Sequence, residues 1–411
     1  MTTEASEKPI AKPKRVNLRR PDVMEQVKAQ VMTHYRSELV DRLRAQGEVH
    51  CPTGRITIKL AKEFGFCYGV ERCIDLAYAA LKVFPNQPIY ILGEIIHNPE
   101  VNDQIRDMGI RFLSGPNKAA DIDDLGEGDI VIIPAFGTEV GIREKLEAKG
   151  CQFVDTTCGD VMSVWKRVRT YAKEEVTSII HGKASHEETM ATSSQAIAKD
   201  GHYLVVLNLD EANTVCDYII NGGDREAFLK QFAGCHSEGF DPDQHLRAVG
   251  VANQTTMMRG ETEEVQRRIR AAIAKRYGET KVDDHFRFFD TICGATQDRQ
   301  DALAVMLAEP MDLLLVIGGY NSSNTSHLAE MGEAQIPTFF IKNANEISDS
   351  TLIRHWNQHT QEVEKTTDWL PSGDLRVGIT AGASCPNNLI EDVIRRLLEL
   401  RGSSAEEFLA H

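Results

Sequence analysis

Asp155-Thr156-Thr157-Cys158-Gly159-Asp160 recurs downstream as Asp290-Thr291-Ile292-Cys293-Gly294-Ala295. Each copy follows a short apolar run that reads as a strand, Gln152-Phe153-Val154 and Arg287-Phe288-Phe289, and each opens a helix. Beyond Cys158 the apolar residues are Val161, Val164, Trp165, Val168 and Tyr171, the spacing of one buried helix face. A looser third copy, Glu63-Phe64-Gly65-Phe66-Cys67-Tyr68-Gly69-Val70, is followed by Ile74, Ala77 and Leu81 at the same period. Three cysteines therefore occupy strand-to-helix turns. Helix N-terminal amides at such turns stabilise a thiolate, or an anion held by thiolates.

The repeat extends beyond the cysteines. A second strand and polar loop come next, ending in His97-Asn98, Ser185-His186-Glu187-Glu188 and Ser322-Ser323-Asn324. These loops lie 30, 28 and 29 residues after their cysteines, counted to His97, His186 and Ser322. A closing strand, loop and helix follow, with loops at Phe136, Asn253-Gln254-Thr255 and Ser384. Strand–helix alternation with continuously apolar strands implies parallel sheets covered on both faces, with ligands gathering beyond the strands' carboxyl ends. The expected fold is α/β: three quasi-equivalent α/β modules with mainly parallel sheets, arranged in a pseudo-threefold trefoil. The expected boundaries are an N-terminal arm over 1–56, partly disordered with a basic helical stretch from Asp22 to Gln46, modules over 57–154, 155–287 and 288–402, and a tail over 403–411. The second module carries an insertion between Gly201 and Leu246 holding one strand and two short helical stretches. The third carries a polar loop from about His355 to Gly373.

Composition narrows the function. A chain of 411 residues with 42% hydrophobic and 26% charged residues reads as globular, with two or three cores. Its net charge of −15 argues against a nucleic-acid surface, so an anionic substrate must meet a local site. No apolar run is long enough to span a membrane, and the first residues lack a secretory segment. The first twenty residues are basic, yet Glu4, Glu7 and the scarcity of serine speak against a transit peptide. The expected location is the bacterial cytoplasm, with the plastid stroma as the alternative. Nine cysteines without a secretory signal are expected to be reduced thiols.

Three thiolates from three modules could serve a trigonal metal, a redox relay or an iron–sulfur cluster. No paired C-x-x-C elements for a zinc ribbon exist. A cubane held by three cysteines leaves one iron open, a Lewis-acidic place for a substrate oxygen. The other six cysteines have no equivalent partners in the repeat and read as buried; Cys385 adjoins the Ser384 loop. The polar loops carry hydrogen-bonders of modest charge: His97, Asn98, Ser185, His186, Asn253, Gln254, Thr255, Ser322, Ser323, Asn324 and Ser384. Such groups at helix N-termini form a pocket for phosphate oxygens. Neither a dinucleotide fingerprint nor a Walker pattern is present. Glu188, without an adjacent base, would have its pKa raised by burial and suit proton delivery; the bland alternative is a helix-cap carboxylate.

These motifs resemble the 4-hydroxy-3-methylbut-2-enyl diphosphate reductase family (IspH/LytB) over about residues 57–400. F-C-Y-G-V-E-R, E-I-I-H-N, D-T-T-C, S-H-E-E-T, N-Q-T-T, I-C-x-A-T-x-x-R-Q, N-S-S-N and T-A-G-A-S occur in family order. The resemblance implies a trefoil around one 4Fe–4S cluster, with Cys67, Cys158 and Cys293 as its three cysteine ligands and one open iron for the allylic hydroxyl. Two electrons and two protons would remove that oxygen as water, giving isopentenyl and dimethylallyl diphosphate. It further implies diphosphate contacts from His97, His186, Ser322, Asn324 and Ser384 with Ser323 beside them, Glu188 as proton donor and Thr255 as its relay. Phe136 stands where many members have a histidine, which removes one diphosphate donor and is similar to the cyanobacterial and plastid branch. That branch implies ferredoxin as electron donor, with flavodoxin as the alternative, and neither nucleic acid nor membrane as partner. Two other readings compete: another three-lobed 4Fe–4S enzyme resembling a dehydratase or quinolinate synthase, and a non-catalytic iron–sulfur sensor.

Overall fold

The computed structural model describes residues 17–289 and 292–406. Two strands open the described fold, β1 (Glu48–Cys51) and β2 (Ile56–Leu60). A first group follows: β3 (Ile89–Ile91), β4 (Arg111–Phe112), β5 (Ile130–Ile133) and β6 (Gln152–Asp155). The second group is β7 (Thr177–His181), β8 (Tyr203–Val206), β9 (Val249–Asn253) and β10 (Phe286–Phe288). Last come β11 (Leu313–Ile317), β12 (Thr338–Ile341), β13 (Leu352–Asn357), β14 (Glu362–Thr367) and β15 (Leu375–Ala381).

The strands form three sheets, and each contains the same parallel four-stranded unit. The orders are β4-β3-β5-β6, β8-β7-β9-β10 and β12-β11-β15-β2. In the third sheet β1 extends one edge and the β13–β14 hairpin the other, each joined antiparallel. The central strands β5, β9 and β11 are buried at every residue, as parallel strands covered on both faces must be. The α/β class and the threefold repetition of modules are thus as expected.

Pairing divides the chain differently from the residue ranges expected above. The strand at 56–60, expected to open the first module, belongs to the third sheet: Leu375 pairs with Ile56 and Ile379 with Leu60. Each cysteine consequently follows the last strand of one unit (β2, β6 or β10) and caps a helix that covers the next. The helix Tyr68–Val83 packs Val70, Ile74 and Ala77 against Ile89, Ile91, Ile130 and Ile132. The helix Gly159–Lys173 buries the five residues of its expected stripe, with Val164, Val168 and Tyr171 against Ala252. In the helix Gly294–Leu307, Leu303 and Met306 pack against Leu314 and Val316. The three thiols therefore stand at the seams between modules.

Other expectations change as well. The strand counted as part of an insertion, β8, is the edge strand of its unit, equivalent to β4 and β12; what is added is the helices Leu209–Asn221, Arg225–Gln231 and Pro242–His245. The expected loop after His355 is instead the β13–β14 hairpin, in register from Leu352–Thr367 to Asn357–Glu362. Of the arm, residues 1–16 lie outside the described residues, and the rest is built into the fold. The helix Pro21–Tyr35 buries Val23, Val27 and Tyr35 against the first module. The helix Glu38–Gln46 buries Leu39, Val40 and Leu43 in the third core. Of the tail, 407–411 lie outside the described residues, whereas Ala405 is buried.

Candidate active site

A cavity of ≈ 110 Å³ is lined by all three repeat cysteines together with His97, His186, Glu188, Thr255, Ser322, Ser323, Asn324 and Ser384. Every residue singled out from the resemblance thus lines one space. Of the other polar loop residues, Asn98, Ser185, Asn253 and Gln254 stay out of the lining. Asn98 caps the helix Pro99–Asp107, and Gln254 Oε1 accepts from Lys183 N and Thr189 Oγ1, each at 3.1 Å. Cys385 is fully buried away from the cavity. A larger cleft of ≈ 600 Å³ opens beside the helices Val140–Ala148 and Glu187–Ile197, but its lining of Glu139, Glu144, Met190, Ser193 and their neighbours includes none of these groups.

The cysteines face the cavity because each follows a strand and caps a helix. Val70 N donates to Cys67 Sγ at 3.5 Å. The amides of Asp160 and Val161 reach Cys158, and that of Thr296 reaches Cys293. Burial nonetheless outweighs these amides. It raises the Cys158 thiol, and with Asp160 as a further cause it pushes Cys293 up to about 12. A cationic group that binds thiolate reverses this balance and releases the protons. A methyl group at Gly69 would stand 2.8 Å from Cys158 Sγ and 3.7 Å from Cys67 Sγ, so glycine keeps the space between two thiols open.

The three sulfurs do not close on one another as ligands of a single ion would. A tetrahedral zinc with bonds of about 2.3 Å draws its sulfurs to about 3.8 Å apart. Among the described residues, the only metal-ligating trio whose atoms all lie within 4.8 Å is His97, His186 and Glu187.

Glu188 is the most constrained acid in the cavity, at 2% exposure. Its Oε1 accepts from Thr255 N at 2.6 Å and its Oε2 from Thr255 Oγ1 at 2.9 Å. Burial raises its pKa to about 7 against the pull of those two bonds. A carboxyl poised there can give up a proton and regain it near neutral pH.

His186 caps the helix Glu187–Ile197, and its Nδ1 accepts from Glu188 N at 3.2 Å. The proton of the neutral ring must therefore sit on Nε2, which is buried and without a hydrogen-bond partner among the described residues. Burial, then neighbouring His97, holds the imidazole neutral by lowering its pKa. Asn324 shows the same pattern: Oδ1 accepts from Ala383 N at 2.9 Å, which leaves the buried Nδ2 without a partner among the described residues. Two buried donors thus await acceptors. An unmet buried donor costs about 1–3 kcal/mol, which an oxygen-rich anion would offset. Ser384 Oγ donates to His97 O at 3.0 Å and lies 3.4 Å from Ser322 Oγ, tying the third module to the first. Gly319 allows that contact, since a Cβ there would stand 2.5 Å from His97 O.

Two further residues escaped the sequence reading. Glu187 Oε2 lies 3.3 Å from His97 Nε2, and that ring stacks on Phe136 at 4.8 Å with planes 13° apart. Burial works against the Glu187 carboxylate, but the His97 contact prevails and lowers its pKa. Asp160 hydrogen-bonds Cys293 from the opposite helix. The only sequence signal for either was its place beside a motif residue.

The family model for the LytB protein matches residues 58–398. A protein of Gloeobacter violaceus named 4-hydroxy-3-methylbut-2-enyl diphosphate reductase is 47% identical over 386 residues, covering 93% of this chain and 90% of its own. One of the same name from Synechococcus is 46% identical over 401 residues, 97% of each chain. The solved structure of an (E)-4-hydroxy-3-methyl-but-2-enyl diphosphate reductase, described as the terminal enzyme of the non-mevalonate pathway, superposes with a TM-score of 0.51 at 28% identity. It covers 83% of this chain and 99% of that one. The corresponding reductase structure from Plasmodium falciparum gives a TM-score of 0.61 at 22% identity, over 84% of this chain and 90% of that one, a likeness of fold. With the cysteines, the polar loops and the sheet order in place, the chain belongs to the LytB family.

Proposed function

We propose that the chain reduces (E)-4-hydroxy-3-methylbut-2-enyl diphosphate to isopentenyl and dimethylallyl diphosphate, the last step of the methylerythritol phosphate route. The balance is R–OH + 2e⁻ + 2H⁺ → R–H + H₂O. The observation that carries the reading is the pairing, in one cavity, of two unpartnered donors with a carboxyl poised near neutrality: His186 Nε2 and Asn324 Nδ2 beside Glu188. The names of the relatives supply the substrate class.

The three cysteines, spaced too widely for one ion and with Gly69 leaving open the space between two of them, fit one 4Fe–4S cluster with an iron left free of cysteine. Such a cluster supplies stored electrons and Lewis acidity toward a hydroxyl oxygen. The chain's own residues do the remainder. His186 Nε2 and Asn324 Nδ2 donate to diphosphate oxygens without adding charge, aided by Ser322, Ser323, Ser384 and His97. That anchoring orients the C–O bond and excludes water from the cysteine end. Glu188, in its acid form, delivers a proton; Thr255 holds both carboxylate oxygens in place while the proton leaves and returns.

Among the described residues no helix is long and apolar enough to cross a membrane, and the bacterial relatives support a cytoplasmic enzyme. The branch likeness that Phe136 carries favours reduced ferredoxin as donor, with flavodoxin as the alternative. Anaerobic purification tests the reading. A brown protein with about four irons per chain that converts the allylic diphosphate under a low-potential reductant is expected. Bound iron with no conversion would favour the sensor reading instead.

A further inference from the structure

Electrons must reach this cavity from another molecule, and the substrate loops account for only part of the surface near the cysteines. Two of the few large apolar side chains left exposed among the described residues lie close to them in sequence. Tyr68, next to Cys67, is 76% exposed, and Met162, in the first turn after Cys158, is 43% exposed. The approach of Gly69 to Cys158 Sγ sets the first turns of the Cys67 and Cys158 helices side by side. Neither Tyr68 nor Met162 contributes to the cavity lining.

Charge singles out the same place. The helix Gly159–Lys173 holds Lys166, Arg167, Arg169 and Lys173 against one acid, Asp160, in a chain of net charge −15. Arg169 turns inward to Gln195 Oε1 at 2.8 Å. Lys166 and Lys173 are exposed and form no ion pair among the described residues. Arg167 lies over the Phe289 ring at 3.7 Å, which carries positive charge from the Cys158 helix toward the segment preceding Cys293.

We propose that this face, Tyr68 and Met162 with Lys166, Arg167 and Lys173, docks a small acidic protein whose iron–sulfur centre lies at its surface. The inference rests on the reductive reading of the cavity. An acidic carrier is repelled by most of this chain and attracted to this band, so charge orients the encounter and raises the association rate. The exposed aromatic and thioether side chains then provide the apolar contact, beside two of the three thiols. Each encounter oxidises the carrier's centre by one electron, and two encounters supply the two electrons of one turnover.

The test compares two reductants on the cluster-loaded enzyme: reduced methyl viologen, and a purified acidic [2Fe–2S] ferredoxin. The variants are the double charge reversal Lys166→Glu with Lys173→Glu, its milder form Lys166→Gln with Lys173→Gln, and Tyr68→Ser. The charge reversal is expected to lower ferredoxin-driven kcat/KM at least about tenfold and to flatten its dependence on salt. The Gln pair should act in the same direction with smaller effect, and Tyr68→Ser should weaken the donor KM with the salt dependence intact. Viologen-driven turnover should match wild type in all three. Unchanged ferredoxin kinetics in both the Gln pair and Tyr68→Ser, at intact viologen turnover, would overturn the surface alone. A wild-type enzyme that turns over with neither reductant would overturn the reductive reading and the surface with it.

Discussion

Thr255 holds both oxygens of the Glu188 carboxyl, its amide on Oε1 at 2.6 Å and its hydroxyl on Oε2 at 2.9 Å. Both bonds favour the ionised form, and burial opposes them more strongly, so the group sits near pH 7. Replacing the proton source should leave the cysteines untouched. Glu188→Gln is expected to keep its iron and lose about 10²–10⁴-fold in kcat. Turnover like that of wild type would reduce Glu188 to a helix cap.

The pH profile follows from the same pair. Glu188 is active as the acid, so turnover should fall as pH rises through about 7. Thr255→Val deletes the hydroxyl that favours the ionised form, which raises the carboxyl further. Its alkaline limb should move to higher pH while kcat falls. A limb that stays put or moves down would show that another group sets it.

His186 Nε2 and Asn324 Nδ2 are expected to act on binding. His186→Phe and Asn324→Ala each remove a donor to a charged oxygen, worth about 1.5–3 kcal/mol. The Kd for inorganic pyrophosphate, read by calorimetry, should rise about 10–100-fold in each. An unchanged Kd in both would place the anion elsewhere.

Phe136 stacks face to face on His97 and stands 6.4 Å from the His186 ring. Phe136→His would put a third imidazole in that stack and add a donor at the cavity wall. Pyrophosphate is expected to bind severalfold more tightly, most clearly below about pH 6.5, where an unperturbed imidazole is charged. Equal or weaker binding at that pH would show that position 136 does not reach the anion.

Much of the candidate site could be read from the chain because each residue that lines the cavity sits in a local turn whose chemistry is written in its neighbours. Cys158 and Cys293 share a six-residue context, and Ser322-Ser323-Asn324 announces a helix cap as well as a donor set. What stayed hidden depends on distant partners. Glu187 matters only because His97 lies 3.3 Å away across 90 residues. The place of β2 in the third sheet is set by pairing with Val377 and its neighbours, more than 300 residues downstream. β8 was mistaken for inserted chain because the helices after it disguise its equivalence to β4 and β12. The β13–β14 hairpin read as loop because both its faces are largely polar and half-exposed, so no alternation marks a buried side.

Gly69 offers a separate handle on the sulfur geometry. Gly69→Ala introduces a methyl 2.8 Å from Cys158 Sγ while leaving every ligand in place. Iron content after anaerobic reconstitution should fall with the far-UV circular dichroism unchanged. Full iron loading in this variant would mean that the cluster does not use the space beside Gly69.

The most direct measurement is Mössbauer spectroscopy of the ⁵⁷Fe-reconstituted protein with and without the allylic diphosphate. Three thiols from three seams, around a cavity lined by Glu188 and the proposed diphosphate donors, predict about four irons, one of which is distinct and alone changes when the substrate is added. Four equivalent irons that ignore the substrate, or iron loading that survives Cys158→Ser unaltered, would contradict it.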